Sequence, residues 1–293
     1  MRAAAIFGLG SSPRDLQPFQ EGSQIDWSIG LPASSDDTEA ILIFGGDGTI
    51  HRHLGQLVKL GRPVLVVPCG SGNDFARALG LRSVRDSLKQ WRQFTATAQN
   101  VRQLDLGIIT PLAPASATRY FCCVAGCGLD SAAAHRANRL PGWLRARGGY
   151  VIGLAGALAR FQPLQLKLQL LPTETTHASI PGYKPMMLAA FANAPTYGHG
   201  MRIAPDADMY DGKLDVCLIH QLSKLRLTYL FPTVYYGKHL KVPEVEYFQT
   251  ESLRIETDPP ADIYADGEFI CRTPVELAIA PATLPVIAAE DNP

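Results

Sequence analysis

Apolar residues in the first third of the chain fall in short unbroken runs, Ala3–Phe7, Ala40–Phe44 and Val64–Val67. Runs of that length without polar alternation predict strands buried on both faces, as in a parallel sheet. Between the second and third runs, Ile50, Leu54, Leu57 and Val58 recur at helical spacing, and Gly61 stands where that helix should stop. After the third run, Phe75, Ala78 and Leu79 predict another helix ending at Gly80. Strand and helix patterns in alternation predict an α/β unit with a parallel sheet.

Beyond Val101 the period changes. Leu104, Leu106 and Ile108 alternate with other residues, as do Leu164, Leu166, Leu168 and Leu170. Further strands are expected at Tyr120–Val124, Met186–Ala192, Leu214–Ile219, Leu253–Thr257, Ile263–Ala265 and Val275–Ala280. A period of two repeated this often predicts an antiparallel β unit with one face buried. Helical patterns interrupt it near Leu129–Arg139, Tyr150–Phe161 and Lys224–Tyr236. The expected organisation is an α/β unit over residues 1–100, completed by 281–293, and a β-rich unit over 101–280.

Composition narrows the class. The chain has 293 residues, 46% of them hydrophobic, enough for two ordinary domains or one large one with a sizeable core. Lys+Arg and Asp+Glu both number 27, so the formal net charge is zero, which argues against a nucleic-acid binder. No apolar stretch approaches the roughly 18 residues that a spanning helix requires. Gly8 and Gly10 interrupt the apolar start too early for a signal peptide. The six cysteines form no C-x-x-C pair and sit mostly in apolar runs, so small buried thiols are expected rather than metal ligands or disulfides. The expected location is the cytoplasm, with any membrane contact peripheral.

Four segments carry candidate chemistry. Gly45-Gly46-Asp47-Gly48-Thr49 follows a buried strand and opens a helix, with Thr49 a suitable N-cap. Glycines there let backbone N–H groups approach a phosphate, and the helix start adds its positive end. A carboxylate beside such a cradle would repel phosphate unless a cation intervened, so Asp47 implies magnesium. The second segment, Pro68–Arg77, repeats the strand–turn–helix plan. There Gly70 and Ser71 can face a phosphate, while Asn73 and Asp74 can orient water, hydroxyl or metal, or Asp74 can simply start a helix. The third, Asp266-Gly267-Glu268, is by itself a hairpin turn signal, yet a carboxylate at a strand end can act as a general base toward an alcohol. The fourth runs from Asn193 to Asp215. Asp208 and Asp211, with a nearby carbonyl, have oxygen-ligand spacing for a divalent cation, and Asp211-Gly212 is also an ordinary turn. The opening Gly8-Leu9-Gly10 lacks the rest of a dinucleotide fingerprint.

Together, in this order, the four segments resemble the bacterial diacylglycerol kinase and related lipid kinase family, with its sphingosine- and ceramide-kinase relatives. The resemblance covers roughly Ile41 to the C-terminus. It implies an NAD-kinase-like α/β nucleotide-binding domain and a second β-sandwich-like domain that takes the lipid, with the active site in a cleft between them. It implies that Gly45, Gly46, Asp47, Gly48, Thr49, Gly70, Ser71 and Asn73 contact ATP, and that Asp47 and Asp74 support a catalytic Mg2+. Glu268 would be the general base, and Asp208, Asp211 and the Lys213 carbonyl would hold a second, structural Mg2+. The implied reaction moves the ATP γ-phosphate to a hydroxyl of a diacylglycerol-like lipid. Expected partners are ATP, a lipid substrate at a membrane surface and, as an option, a second copy in a homodimer; nucleic acid is not among them.

Two departures from the family pattern stand out. Gly8–Pro13 replaces an Asn-Pro-x-Ser-Gly turn, and Arg52 replaces a Glu three residues after the first glycine motif. They keep open a catalytically impaired nucleotide- or lipid-binding regulatory protein. An NAD-kinase-like enzyme with a soluble substrate is the other alternative, disfavoured because Asn73-Asp74 stands where those enzymes carry Asn-Glu. Two segments mix apolar and basic residues: Pro141–Phe161, and Leu222–Leu240 with Lys224, Arg226 and Lys238. Either suits lipid headgroups; a helix packed on the β unit is at least as good a reading of the first and the expectation for the second.

Overall fold

The computed structural model describes all residues except 22–23, 114–116, 141–148, 159–160, 172–181 and 289–293, and within helices it leaves aside the side chains of 149–151 and 155. Contacts divide the chain into two compact units, Met1–Asp105 with Pro281–Pro293, and Leu106–Ala280.

The first unit begins with β1 (Arg2–Phe7), a 3-10 turn (Pro13–Leu16), the four-residue α1 (Gln17–Gln20) and β2 (Asp26–Ile29). It continues with β3 (Ala40–Gly45), α2 (Asp47–Leu60), β4 (Val64–Pro68), α3 (Asp74–Ala78) and α4 (Val84–Thr97). The strands are parallel in the order β2–β1–β3–β4, and Val286 from the end of the chain pairs with Val64. Every residue of β3 is buried, which is why its sequence is an unbroken apolar run.

Helix α4 lies outside the periodic segments recognised in the sequence. Its start is nonetheless encoded, because the Ser83 hydroxyl accepts the Asp86 N–H as an N-cap. The Ser87 hydroxyl donates to the Val66 carbonyl, and the Trp91 indole donates to the Phe19 carbonyl, fixing the helix against β4 and α1.

The second unit takes up the chain within β5 (Val101–Pro111), then β6 (Arg119–Phe121), β7 (Val124–Gly128), α5 (Leu129–Asn138) and α6 (Gly149–Leu158). There follow β8 (Leu164–Leu170), β9 (Lys184–Ala192), β10 (Leu214–His220), α7 (Lys224–Val234) and β11 (Val245–Thr250). The last strands are β12 (Ser252–Asp258), β13 (Asp262–Ala265), β14 (Glu268–Arg272) and β15 (Val275–Ile287). Strand β9 is shared by two antiparallel runs. One is β11–β10–β9–β7–β13–β14, and the other leaves β9 through β8 and β12 to β15. Buried residues from both runs, among them Phe191, Leu218, Leu168 and Leu277, form one core, as expected of face-to-face sheets.

The strand expected at Tyr120–Val124 is in fact two. It breaks at Cys122-Cys123, whose amides are taken by the Asp266 carboxylate instead of a neighbouring strand. β2, β11 and β14 were not apparent in the sequence. Among the described residues no helix is long and apolar enough to cross a membrane.

Candidate active site

In the first unit the two glycine turns meet. Gly45 pairs with Pro68 in the β3–β4 ladder, and the Cys69 N–H donates to the Gly45 carbonyl. Beyond that point the chains touch backbone to backbone. A Cβ on Gly46 would lie 2.9 Å from the Gly70 Cα, and one on Gly70 would lie 2.5 Å from the Gly46 Cα. Neither position admits a side chain, so the edge of the turns offers main chain, the arrangement that suits a phosphate.

Helix α2 starts two residues before the expected cap. Gly46 is the N-cap, without a side-chain bond, and Asp47 is the first helical residue. Thr49 is therefore inside the first turn, with its side chain packed over Gly45. The reason is that Gly46 already has extended backbone and its carbonyl accepts the Ile50 N–H, so the helix needs no hydroxyl cap.

Asp47 has a structural partner that the sequence did not reveal. Its two oxygens accept the N–H groups of Asp74 and Phe75 at 3.1 and 3.0 Å, capping α3. Asn73, left-handed at φ 54°, closes its own turn: its Oδ1 accepts the Gly70 N–H and its Nδ2 donates to the Gly70 carbonyl. Asp74 is buried and ion-paired with Arg77, and a second guanidinium nitrogen donates to the Gly72 carbonyl. Ser71 is exposed at the tip. After β1, at the same edge of the parallel sheet, the Ser11 hydroxyl reaches the Gly8 and Phe44 carbonyls, so the Gly8–Ser11 turn is folded onto β3 beside the glycine turns.

In the second unit Asp266 and Gly267 both have positive φ, 50° and 85°, and join β13 to β14 as a two-residue hairpin. The Asp266 carboxylate turns back and accepts the N–H groups of Cys122, Cys123 and Val124 at 2.8, 2.9 and 3.3 Å. Glu268 opens β14 with its side chain exposed. Helix α5 braces the hairpin. Asn138 Nδ2 donates to the Gly267 carbonyl, and His135 Nδ1 lies 2.9 Å from the Tyr264 hydroxyl. Burial, with Asp262 nearby, pushes the Tyr264 phenol up.

Asp208 and Asp211 each close a short turn, accepting the N–H groups of Tyr210 and Lys213. Behind them the buried Asp215 accepts the Tyr247 hydroxyl at 2.6 Å and lies 3.3 Å from the Gln249 amide. Burial raises the Asp215 carboxyl, the Tyr247 and Gln249 bonds oppose this, and Asp211 and Asp206 raise it further. Among the described residues no three acidic, histidine or cysteine side chains converge as metal ligands. Asp208, Asp211 and the Lys213 carbonyl are oxygen donors, the ligand type that magnesium takes, usually from one or two carboxylates with waters and substrate oxygens. All six cysteines are free thiols.

Sequence reasoning did not anticipate an apolar cavity of about 270 Å3 in the second unit. Leu129, Leu158, Leu188, Met201, Leu227 and Phe231 line it, bringing α5, α6, α7 and β9 together. His239 is its buried polar member. Nε2 donates to the Ile203 carbonyl at 3.0 Å, and Nδ1 has no partner among the described residues. Burial holds the imidazole below its ordinary value of 6.5, the Ile203 bond partly opposing it. Of the basic and apolar segment ending at Phe161, Pro141–Gly148 and Ala159–Arg160, with Trp143, Arg145 and Arg147, lie outside the described residues.

Two family models match the chain, the diacylglycerol kinase catalytic domain over residues 28–109 and the YegS C-terminal NAD kinase beta sandwich-like domain over residues 123–288. A diacylglycerol kinase of Mycobacterium tuberculosis is 33% identical over 255 residues, covering 87% of this chain and 78% of that protein. Among solved structures, a diacylglycerol kinase from Bacillus anthracis superposes with a TM-score of 0.68 at 15% identity, covering 98% and 97% of the two chains. An NAD kinase from Archaeoglobus fulgidus in complex with ATP gives 0.54 at 14% identity, covering 98% and 92%. The fold is thus that of the NAD kinase and diacylglycerol kinase group, an α/β unit with a β-sandwich-like second unit. The chain belongs to the diacylglycerol kinase and related lipid kinase family and is an ATP-dependent phosphotransferase with an alcohol acceptor.

Proposed function

We propose that the protein transfers the γ-phosphate of ATP to a hydroxyl of a diacylglycerol-like or related membrane lipid. The observation that carries the lipid acceptor is the apolar cavity of the second unit. Its volume is close to the lower end of the roughly 300–1,000 Å3 typical of ligand pockets. Such walls favour an acyl chain and offer little to a polar nucleotide acceptor.

In this reading the main chain of Gly45–Thr49 and Gly70–Asn73 holds the ATP phosphates, supported by the side-chain-free approach of Gly46 to Gly70. Bound magnesium would neutralise charge on the phosphates. Asp208, Asp211 and the Lys213 carbonyl would hold a structural ion, and Asp74 with Asp47 would support the nucleotide-side one. Glu268 takes the proton from the acceptor hydroxyl, which suits an exposed carboxylate on a hairpin whose backbone is fixed by Asp266 and Asn138.

The test is ATP consumption with magnesium against a panel of micellar lipids, beside Glu268→Gln and an NAD control. Lipid-dependent turnover that falls about 10²–10⁴-fold in the variant, with ATP affinity retained, is the expected result. Lipid-independent phosphorylation of NAD would replace the lipid reading. ATP binding without turnover on any lipid would leave a regulatory binding protein.

A further inference from the structure

Helix α7 is apolar on two opposite sides. At 100° per residue, Leu225, Tyr229, Pro232 and Tyr236 fall within an arc of about 60° when the helical turn is carried two residues past Val234. Tyr235, which follows Val234, keeps helical backbone, so this extension is geometrically sound. Leu227, Leu230, Phe231 and Val234 fall on the other side, and these line the cavity. The first set faces outward. Leu225 is 83% exposed, Tyr229 81% and Tyr236 73%. A helix apolar all round is ordinarily buried in protein or in lipid. This one has 11 residues, too few to span the roughly 30 Å core of a bilayer.

Charge says what covers the outer face. From Leu222 to Pro243 the chain carries Lys224, Arg226, Lys238 and Lys241 and no Asp or Glu. Arg226 is paired with Glu244, while Lys238 and Lys241 are exposed. An apolar stripe with two tyrosines, set among cations, is the composition of an element that lies in the headgroup layer of an anionic bilayer. A second copy of the chain would bring the same cations against themselves.

We propose that the outer face of α7 docks the protein on an anionic lipid surface, so that one helix contacts the bilayer with one side and walls the cavity with the other. The assignment rests on the lipid-acceptor reading and gives it a direction of supply, because an acyl chain would leave the membrane beside the helix that lines its cavity.

The experiment measures sedimentation with vesicles of phosphatidylglycerol and phosphatidylcholine, without ATP, for the full chain and for the double variant Leu225→Ser/Tyr229→Ser. Partial burial of two large apolar side chains corresponds to a loss of about thirtyfold in the partition coefficient. Lys238→Glu/Lys241→Glu should lose binding to anionic vesicles mainly at low salt. Thermal melts control for folding, since substitutions this exposed should leave the midpoint nearly unchanged. Equal binding by the apolar double variant and the parent would overturn the proposal. So would a dimer of the parent that the double variant converts to monomer, which would give the face to a second copy. Turnover of lipid dispersed in detergent is read separately. Its absence would count against the kinase reading while the vesicle result still decides the docking surface.

Discussion

Removing the Asp266 carboxylate should loosen the β6–β7 junction and the hairpin anchored to it. In Asp266→Ala three N–H groups, those of Cys122, Cys123 and Val124, lose their acceptor in a region where the three residues are at most 4% exposed. A buried donor left unsatisfied costs about 1–3 kcal/mol. Taking the low end for each, because a loop can relax toward water, gives about 3 kcal/mol. Alanine at φ 50° adds roughly 1 kcal/mol, since the left-handed region disfavours a residue that cannot bond locally. The total, about 4 kcal/mol, is a large part of the roughly 5–15 kcal/mol that stabilises an ordinary domain. The local readout is thiol labelling of Cys122 and Cys123 under native conditions, followed by mass analysis of the peptide that contains them. Opening made easier by that amount raises the labelling rate about 1,000-fold. Glu268→Gln, which removes no acceptor from these amides, should label like the parent. A rate for Asp266→Ala within threefold of the parent would refute the reasoning and return Asp266 to the status of a turn residue.

Two further outcomes follow from the same geometry. Gly70→Ala places a methyl 2.5 Å from the Gly46 Cα, so the turns must separate, and ATP affinity measured by calorimetry should drop at least tenfold; unchanged affinity would detach the turns from nucleotide binding. His239 is held below its unfolded value of 6.5, so the native state prefers it neutral. Its contribution is complete above pH 6.5 and is lost as pH falls through the lower folded value. Urea midpoints should therefore decline below about pH 6.5, and His239→Leu should flatten that limb; an equally steep decline in the variant would assign it to other groups.

What the sequence revealed best was the part whose pattern has one physical cause. Strands β3 and β4 are buried on both faces, so AILIF and VLVV read as strands without help from distant residues. The glycine turns were legible because little else explains glycines between a buried strand and a helix. Functions set by long-range contacts were not. Asp47 looked like a cation ligand, and only the fold brings α3 close enough for its carboxylate to cap that helix, 27 residues away. Asp266 read as a turn former, and its three amides come from more than 140 residues earlier. Helix α7 was expected to pack on the β unit, and half of it does. Its other stripe could be seen as exposed only after Leu227 and Phe231 had been placed inside.

Helix α5 has two employments at once. Its first residue, Leu129, is part of the cavity wall, and its last, Asn138, grips the carbonyl of Gly267 in the hairpin that carries Glu268. An unbroken helix of 10 residues is a rod about 15 Å long. It has no internal proline or glycine at which to bend. A helix without a bend ties the residue that walls the cavity to the residue that holds the hairpin, so a shift at one end is expected to be felt at the other. Enlarging Leu129 should register at the Glu268 end as a displacement, just as pulling on one end of a lever moves the other.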